Sequence, residues 1–194
     1  MSNFHLRLTG LPELCYNPVF LTCREGYVTL SAGGGLMFCI GDRVVYPMHG
    51  AGIIESLEER EILGKRQQYF VMRIPLGDMK VYIPETNVDN MGLRQIVPAS
   101  YVPNVIAALR DVHPEEDGNW NRRYRANLEK LRTGCILATA RVVSNLLARE
   151  KLKGLSTGEK RMLETARQIL ISELILVENK SEAMVQELIT RECS

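Results

Sequence analysis

The chain has 194 residues, enough for one or two domains with a sizeable core. Hydrophobic residues make up 45% and charged residues 24%, an ordinary globular balance. No apolar run approaches the roughly 18 to 20 residues that span a bilayer, and the N-terminus lacks the basic-then-apolar pattern of a secretory signal. The net charge of +1 conceals a segregation. Residues 37–97 hold seven Lys/Arg against eight Asp/Glu, residues 117–167 twelve against five, and residues 168–194 two against five. A middle segment this basic fits either a polyanion-binding surface or solvated helix faces, and charge alone leaves both open.

Residues 1–36 carry no sustained period and end in Ser31-Ala32-Gly33-Gly34-Gly35, just before Met37. A purine-rich ribosome-binding site translated in frame reads as such a Gly-Gly pair. The natural start is therefore expected at Met37, with a real extension lacking fixed structure as the other reading. From residue 37 to 97 the pattern is that of short strands: Arg43–Tyr46, Gly52–Arg60, Gln68–Ile74, Lys80–Ile83 and Arg94–Val97. Turn sequences such as Pro47-Met48-His49-Gly50 and Pro75-Leu76-Gly77-Asp78 separate them. Five short strands within about sixty residues predict a small bent barrel of Tudor or SH3 type.

After Pro98 the period becomes helical, with Val102, Val105, Ile106 and Leu109 at i, i+3, i+4 and i+7. Helices follow around Trp120–Leu131 and Ile136–Leu152, stopped at Thr133-Gly134 and Lys153-Gly154. Ser156-Thr157-Gly158-Glu159 has capping-box spacing and opens a long helix through Met162, Ala166, Ile169, Leu170 and Leu174. A last helix, around Glu182–Thr190, follows Ser181. The expectation is an α+β chain: a small Tudor/SH3-like β-barrel over 37–97, then an all-α helical bundle over 98–194.

No catalytic constellation stands out. The sequence contains no GxxxxGK[ST], GxGxxG or HExxH. His5, His49 and His113 are isolated, so no metal site is expected. Cys15, Cys23, Cys39, Cys135 and Cys193 are odd in number and form no CxxC, which argues against a zinc site or a disulfide framework and for a reducing cytoplasm. Glu58-Glu59-Arg60-Glu61 reads as a solvated hairpin face rather than an acid/base pair. No enzyme and no cofactor are expected.

The most informative stretch is Gly118-Asn119-Trp120-Asn121-Arg122-Arg123-Tyr124-Arg125, where the single Trp lies among three arginines at a helix start. Trp120, Arg123 and Tyr124 share a face at i, i+3 and i+4, flanked by Arg122 and Arg125. Guanidiniums suit phosphates, and a flat apolar side chain suits a wedge against a base step. The competing reading makes Trp120 and Tyr124 core anchors and the arginines solvated.

The segment Asn119 to Leu131 closely resembles the hallmark of the CarD family of bacterial transcription regulators. So do Gly154-Leu155-Ser156-Thr157-Gly158-Glu159-Lys160-Arg161-Met162-Leu163 and Ala166-Arg167-Gln168-Ile169-Leu170. Gly41-Asp42-Arg43-Val44-Val45-Tyr46-Pro47-Met48-His49-Gly50 resembles the start of that family's polymerase-interaction domain, which transcription-repair coupling factors share. The likeness runs from about Phe38 to Ser181.

The resemblance implies a regulator whose barrel binds the RNA polymerase β subunit. Its helical domain would reach promoter DNA at the upstream edge of the transcription bubble, largely without regard to sequence. By that likeness Trp120 inserts in the minor groove, Arg122, Arg123 and Arg125 form the basic cluster, and Lys160 contacts the DNA backbone. Arg60, Ile62, Tyr82 and Pro84 fall at positions of the polymerase interface, although Tyr82 departs from a basic residue found there in some relatives. No membrane partner and no oligomer are implied. The alternative is a polymerase-docking adaptor whose helical domain binds another protein, with Trp120 as its hot spot.

Overall fold

The structure, a computed structural model, describes residues 38–62, 64–88, 90–112 and 119–193. The expectation about Met37 lies outside the described residues. Among the described residues five strands come first: β1 Arg43–Tyr46, β2 Gly50–Ile62, β3 Lys65–Ile74, β4 Met79–Pro84 and β5 Arg94–Gln95. They form one antiparallel sheet in the order β4-β3-β2-β1-β5, the order of a small SH3-like barrel. Among the described residues, five α-helices follow: α1 Val102–Arg110, α2 Trp120–Arg132, α3 Ile136–Lys153, α4 Thr157–Glu178 and α5 Glu182–Glu192. The expected architecture of a sheet followed by a helical bundle is present.

Period-two alternation divides the sheet into two apolar faces. Val44, Ile54, Phe70, Met72 and Ile83 pack on the inner face with Phe38, Val88 and Leu93. Val45 and Ala51 turn the other way, onto Leu176 of α4, with Ile53 and Ile96 at the margin. A bulge between Ile54 and Ser56 bends β2 where its pairing with β3 shifts register. β2 runs past the expected Arg60 because its ladder with β3 continues to the Ile62–Lys65 pair. β5 stops earlier than expected. Beyond Gln95, the Ile96 amide still donates to Arg43 O (3.2 Å), but the Val97 amide turns to the Glu173 carboxylate instead (3.1 Å).

The bundle core is built from Val105 and Leu109 of α1, Leu131 of α2, Val143 of α3, Leu170 and Leu174 of α4 and Ile189 of α5. Truncating one such side chain to alanine costs about 2–5 kcal/mol. α4 is buried on two sides. Met162, Ala166, Leu170 and Leu174 face the bundle, whereas Ile169, Ser172, Glu173 and Leu176, at i, i+3, i+4 and i+7, form a stripe toward the sheet.

That stripe meets the sheet through polar contacts as well as apolar ones. The Ala51 amide donates to Ser172 Oγ (2.8 Å), and Arg43 Nη1 donates to Leu176 O (2.6 Å). Arg94 forks onto Glu173 through two bonds of 2.7 and 2.8 Å, and its Nε donates to Gly134 O (2.7 Å). Gly50 makes this approach possible. Its φ is +107°, and a Cβ there would lie 2.6 Å from Ser172 Oγ.

Candidate functional site

α2 starts at Trp120 because Asn119 caps it: the Asn119 side chain accepts from the amides of Asn121 (3.0 Å) and Arg122 (3.4 Å). α4 starts after Ser156 with the capping box that the sequence spacing predicts. The two caps bring the helix starts together. The Trp120 indole Nε1 donates to Ser156 Oγ at 2.8 Å, and its ring stacks on Tyr124 with centroids 5.2 Å apart. Gly158, in the first turn of α4, lies flat against this pair. A Cβ there would come within 3.2 Å of the Trp120 ring and 3.6 Å of Tyr124. Trp120 thus sits on a platform with 40% of its surface still exposed.

Ser156 Oγ uses its full hydrogen-bonding capacity. It accepts from Trp120 Nε1 and from the Glu159 amide (3.3 Å), and donates to Glu159 Oε2 (2.8 Å). The other carboxylate oxygen, Oε1, lies 3.5 Å from both Arg123 Nη2 and Arg149 Nε. Burial pushes the Glu159 pKa upward. The Ser156 backbone amide and hydroxyl, with Arg149 and Arg123, outweigh that and hold the carboxyl below its ordinary range.

These contacts divide the four cations expected at the DNA surface. Arg122 and Arg125 of α2 and Lys160 in the first turns of α4 are exposed. Arg123 is not: it is 6% exposed and turned inward to Glu159, itself 4% exposed. Arg123, expected in the DNA-facing cluster, has its guanidinium against the Glu159 carboxylate instead of in the open. Sequence reasoning also missed Glu159 and Arg149 as members of the site, and Gly158 as the floor under Trp120. The capping-box spacing of Ser156 and Glu159 was the available signal, but it places them at a helix start and not against Trp120.

The second group of expected residues lies on the sheet. Glu58, Arg60 and Ile62 of β2 and Tyr82 and Pro84 of β4 share one face, since Glu58 pairs with Tyr69 and Tyr69 with Pro84. Arg60 Cζ sits 3.7 Å over the Tyr82 ring, and Arg60 is also paired with Glu58 at 3.0 Å. Ile62 and Tyr82 are exposed apolar side chains, and Pro84 is half-buried beside them. The structure thus brings together Arg60 and Tyr82, which lie 22 positions apart in the chain. Among the described residues, no group of His, Cys, Asp and Glu is arranged to hold a metal ion, and no helix is long and apolar enough to cross a membrane.

Comparison with known proteins agrees with the two-part architecture. The family described as "CarD-like/TRCF RID domain" matches residues 38–97, and "CarD, C-terminal domain" matches residues 104–190. The chain belongs to the CarD-like family of transcription factors, with an RNA polymerase-interacting domain in its first part. It is not a known enzyme family. The chain is 39% identical over 152 residues to "Putative transcription factor YdeB" of Bacillus subtilis (strain 168), covering 77% of this chain and 98% of that protein. The solution structure of the 72-residue N-terminal domain of Myxococcus xanthus CarD matches at 27% identity, covering 36% of this chain and 93% of that domain, with a TM-score of 0.28.

Proposed function

We propose that this protein is a bacterial transcription regulator, active as a cytoplasmic monomer, that stabilises the promoter open complex. In this reading residues 37–97 dock on the RNA polymerase β subunit through Arg60, Ile62, Tyr82 and Pro84. Residues 98–194 contact the minor groove at the upstream edge of the bubble, with Trp120 as the wedge and Arg122, Arg125 and Lys160 on the phosphates. Arg123 serves from beneath, as the counter-ion of Glu159.

The observation that carries the reading is the half-exposed Trp120, propped on Tyr124, Ser156 and Gly158 at the start of two helices whose first turns carry the exposed Arg122, Arg125 and Lys160. A core anchor would be buried, and a disordered surface tryptophan would not have its N–H and ring face both engaged. Unstacking a base step costs a few kcal/mol, roughly, which the wedge recovers through contacts to the deformed duplex. Phosphate contacts add affinity with little sequence information. Tethering to polymerase raises the local concentration of the wedge at the bubble. Preferential binding to the open state then shifts the promoter equilibrium without chemistry, a tenfold preference being worth about 1.4 kcal/mol.

The test is open-complex lifetime on a promoter fragment with bacterial polymerase. The expected result is a longer lifetime with the wild type, no extension with Trp120→Ala, and equal β-subunit binding by both. An unchanged lifetime with the wild type, together with no salt-dependent binding to forked DNA, would replace this reading with that of an adaptor whose helical domain holds another protein.

A further inference from the structure

We propose that α4 is a rigid strut that fixes the distance and rotation between the docking face of the sheet and the Trp120 wedge. Glu173 and Arg94 act as the positioning residues that clamp it. This inference rests on the functional reading above and adds to it residues that touch neither polymerase nor DNA.

The argument begins with where α4 makes its contacts. At its N-terminal end Ser156 and Glu159 hold Trp120 and Arg123. Toward its C-terminal end Ser172, Glu173 and Leu176 hold β2, β5 and β1 respectively. Glu173 stands 17 positions after Ser156 in one continuous helix, about 25 Å along the axis at about 1.5 Å per residue. One element therefore joins the wedge platform to three strands of the docking module.

The chemistry of the clamp points to geometry rather than stability. Glu173 is 1% exposed and accepts three hydrogen bonds: two from the Arg94 fork and one from the Val97 amide. Arg94 is tied in turn to Gly134 O, at the junction of α2 and α3. A buried ion pair is seldom better for stability than well-packed apolar residues, but it tolerates few alternative arrangements. Moving α4 by one turn, or rotating it by one residue, would strand a buried carboxylate and leave the Val97 and Ala51 amides without acceptors. An apolar contact such as Val45 on Leu176 has no such register. A wedge that must enter one base step while its own protein is anchored elsewhere needs this register, since a displacement of about 1 Å can undo an aligned contact.

The experiment uses the full chain and three readouts: affinity for polymerase, affinity for forked DNA, and open-complex lifetime. Glu173→Gln keeps the shape and an acceptor for Val97 but removes the charge that holds Arg94. The expected result is polymerase and forked-DNA affinities within about twofold of wild type, with the lifetime extension lost. Arg94→Lys, which keeps the charge but loses the fork and the Gly134 bond, is read the same way and serves if Glu173→Gln does not fold. A lifetime extension equal to wild type in the folded variant overturns the strut. So does a parallel fall of all three readouts, which would mark a merely structural pair. If the wild type itself leaves the lifetime unchanged, the functional reading has failed, and the strut falls with it.

Discussion

The indole of Trp120, at the first position of α2, donates its hydrogen to Ser156, the residue that caps α4, at 2.8 Å. One hydroxyl thereby starts a helix and aims the side chain expected to meet DNA. Two segments 36 residues apart in the chain are joined at their helix starts.

Replacing Ser156 with alanine removes both functions. Loss of the cap should cost about 0.5–2 kcal/mol of stability. Trp120 is the only tryptophan in the chain, so its fluorescence reports the site directly. The expected outcome is a red-shifted emission in Ser156→Ala as the indole N–H turns to water, and a wild-type spectrum in Ser156→Thr. An unshifted Ser156→Ala spectrum would show that ring stacking on Tyr124 alone holds the side chain.

Neighbouring arginines should behave in opposite ways. Arg122→Ala should leave stability within about 0.5 kcal/mol but lower the slope of log affinity against log salt by about 0.9, the loss of one phosphate contact. Arg123→Ala should lose up to about 3–5 kcal/mol by uncovering the buried Glu159, with Arg149 retaining part of the pairing. Urea midpoints and DNA titrations at several salt concentrations separate the two. Equal stability in both variants would refute the inward assignment of Arg123.

The docking face is tested at Tyr82. The guanidinium of Arg60 lies over this ring, so Tyr82→Phe should bind the β subunit as wild type does. Tyr82→Ala should weaken binding by about two- to fivefold through loss of the cation–π platform and its apolar area. Arg60→Glu, which reverses the charge, should weaken it further. Titration of labelled protein with polymerase measures all three, and equal affinity for Arg60→Glu would remove Arg60 from the interface.

Acid stability should report Glu159. Its folded pKa lies below the ordinary value of 4.5, so between the two values the unfolded chain binds more protons than the native one. The stabilisation is therefore complete above the unfolded value and is lost as pH falls through the depressed folded one. Glu159→Gln should flatten the stability curve below about pH 4.5 and leave its slope above pH 6 unchanged. Glu192, held low chiefly by Arg110 and also by Arg191, adds to the acid limb in both proteins and cancels in the difference. An identical acid limb in the two would assign the effect elsewhere.

Much of this protein could be read from the chain because the relevant signals are local. Val102, Val105 and Leu109 mark α1 by period, and all three are buried in the bundle core. Ser156 and Glu159 mark the start of α4 by spacing, and the alternation of Val44, Ile54, Phe70 and Met72 marks the sheet. Helix caps and strand alternation depend on neighbours within a few positions, so composition and period suffice.

Partnerships across the chain could not be read in that way. Arg122 and Arg123 are the same residue type side by side, and only the position of Glu159, 36 residues after Arg123, turns one inward and leaves the other exposed. Glu173 counts among the acids of a solvated-looking tail until Arg94, 79 residues before it, closes on its carboxylate. Tyr82 reads as a departure from a basic position until it lies under Arg60. In each case the side chain's role is set by the low-dielectric neighbourhood that folding assembles around it. A charge in water needs no partner, whereas a buried one is stable only where the fold supplies a specific one.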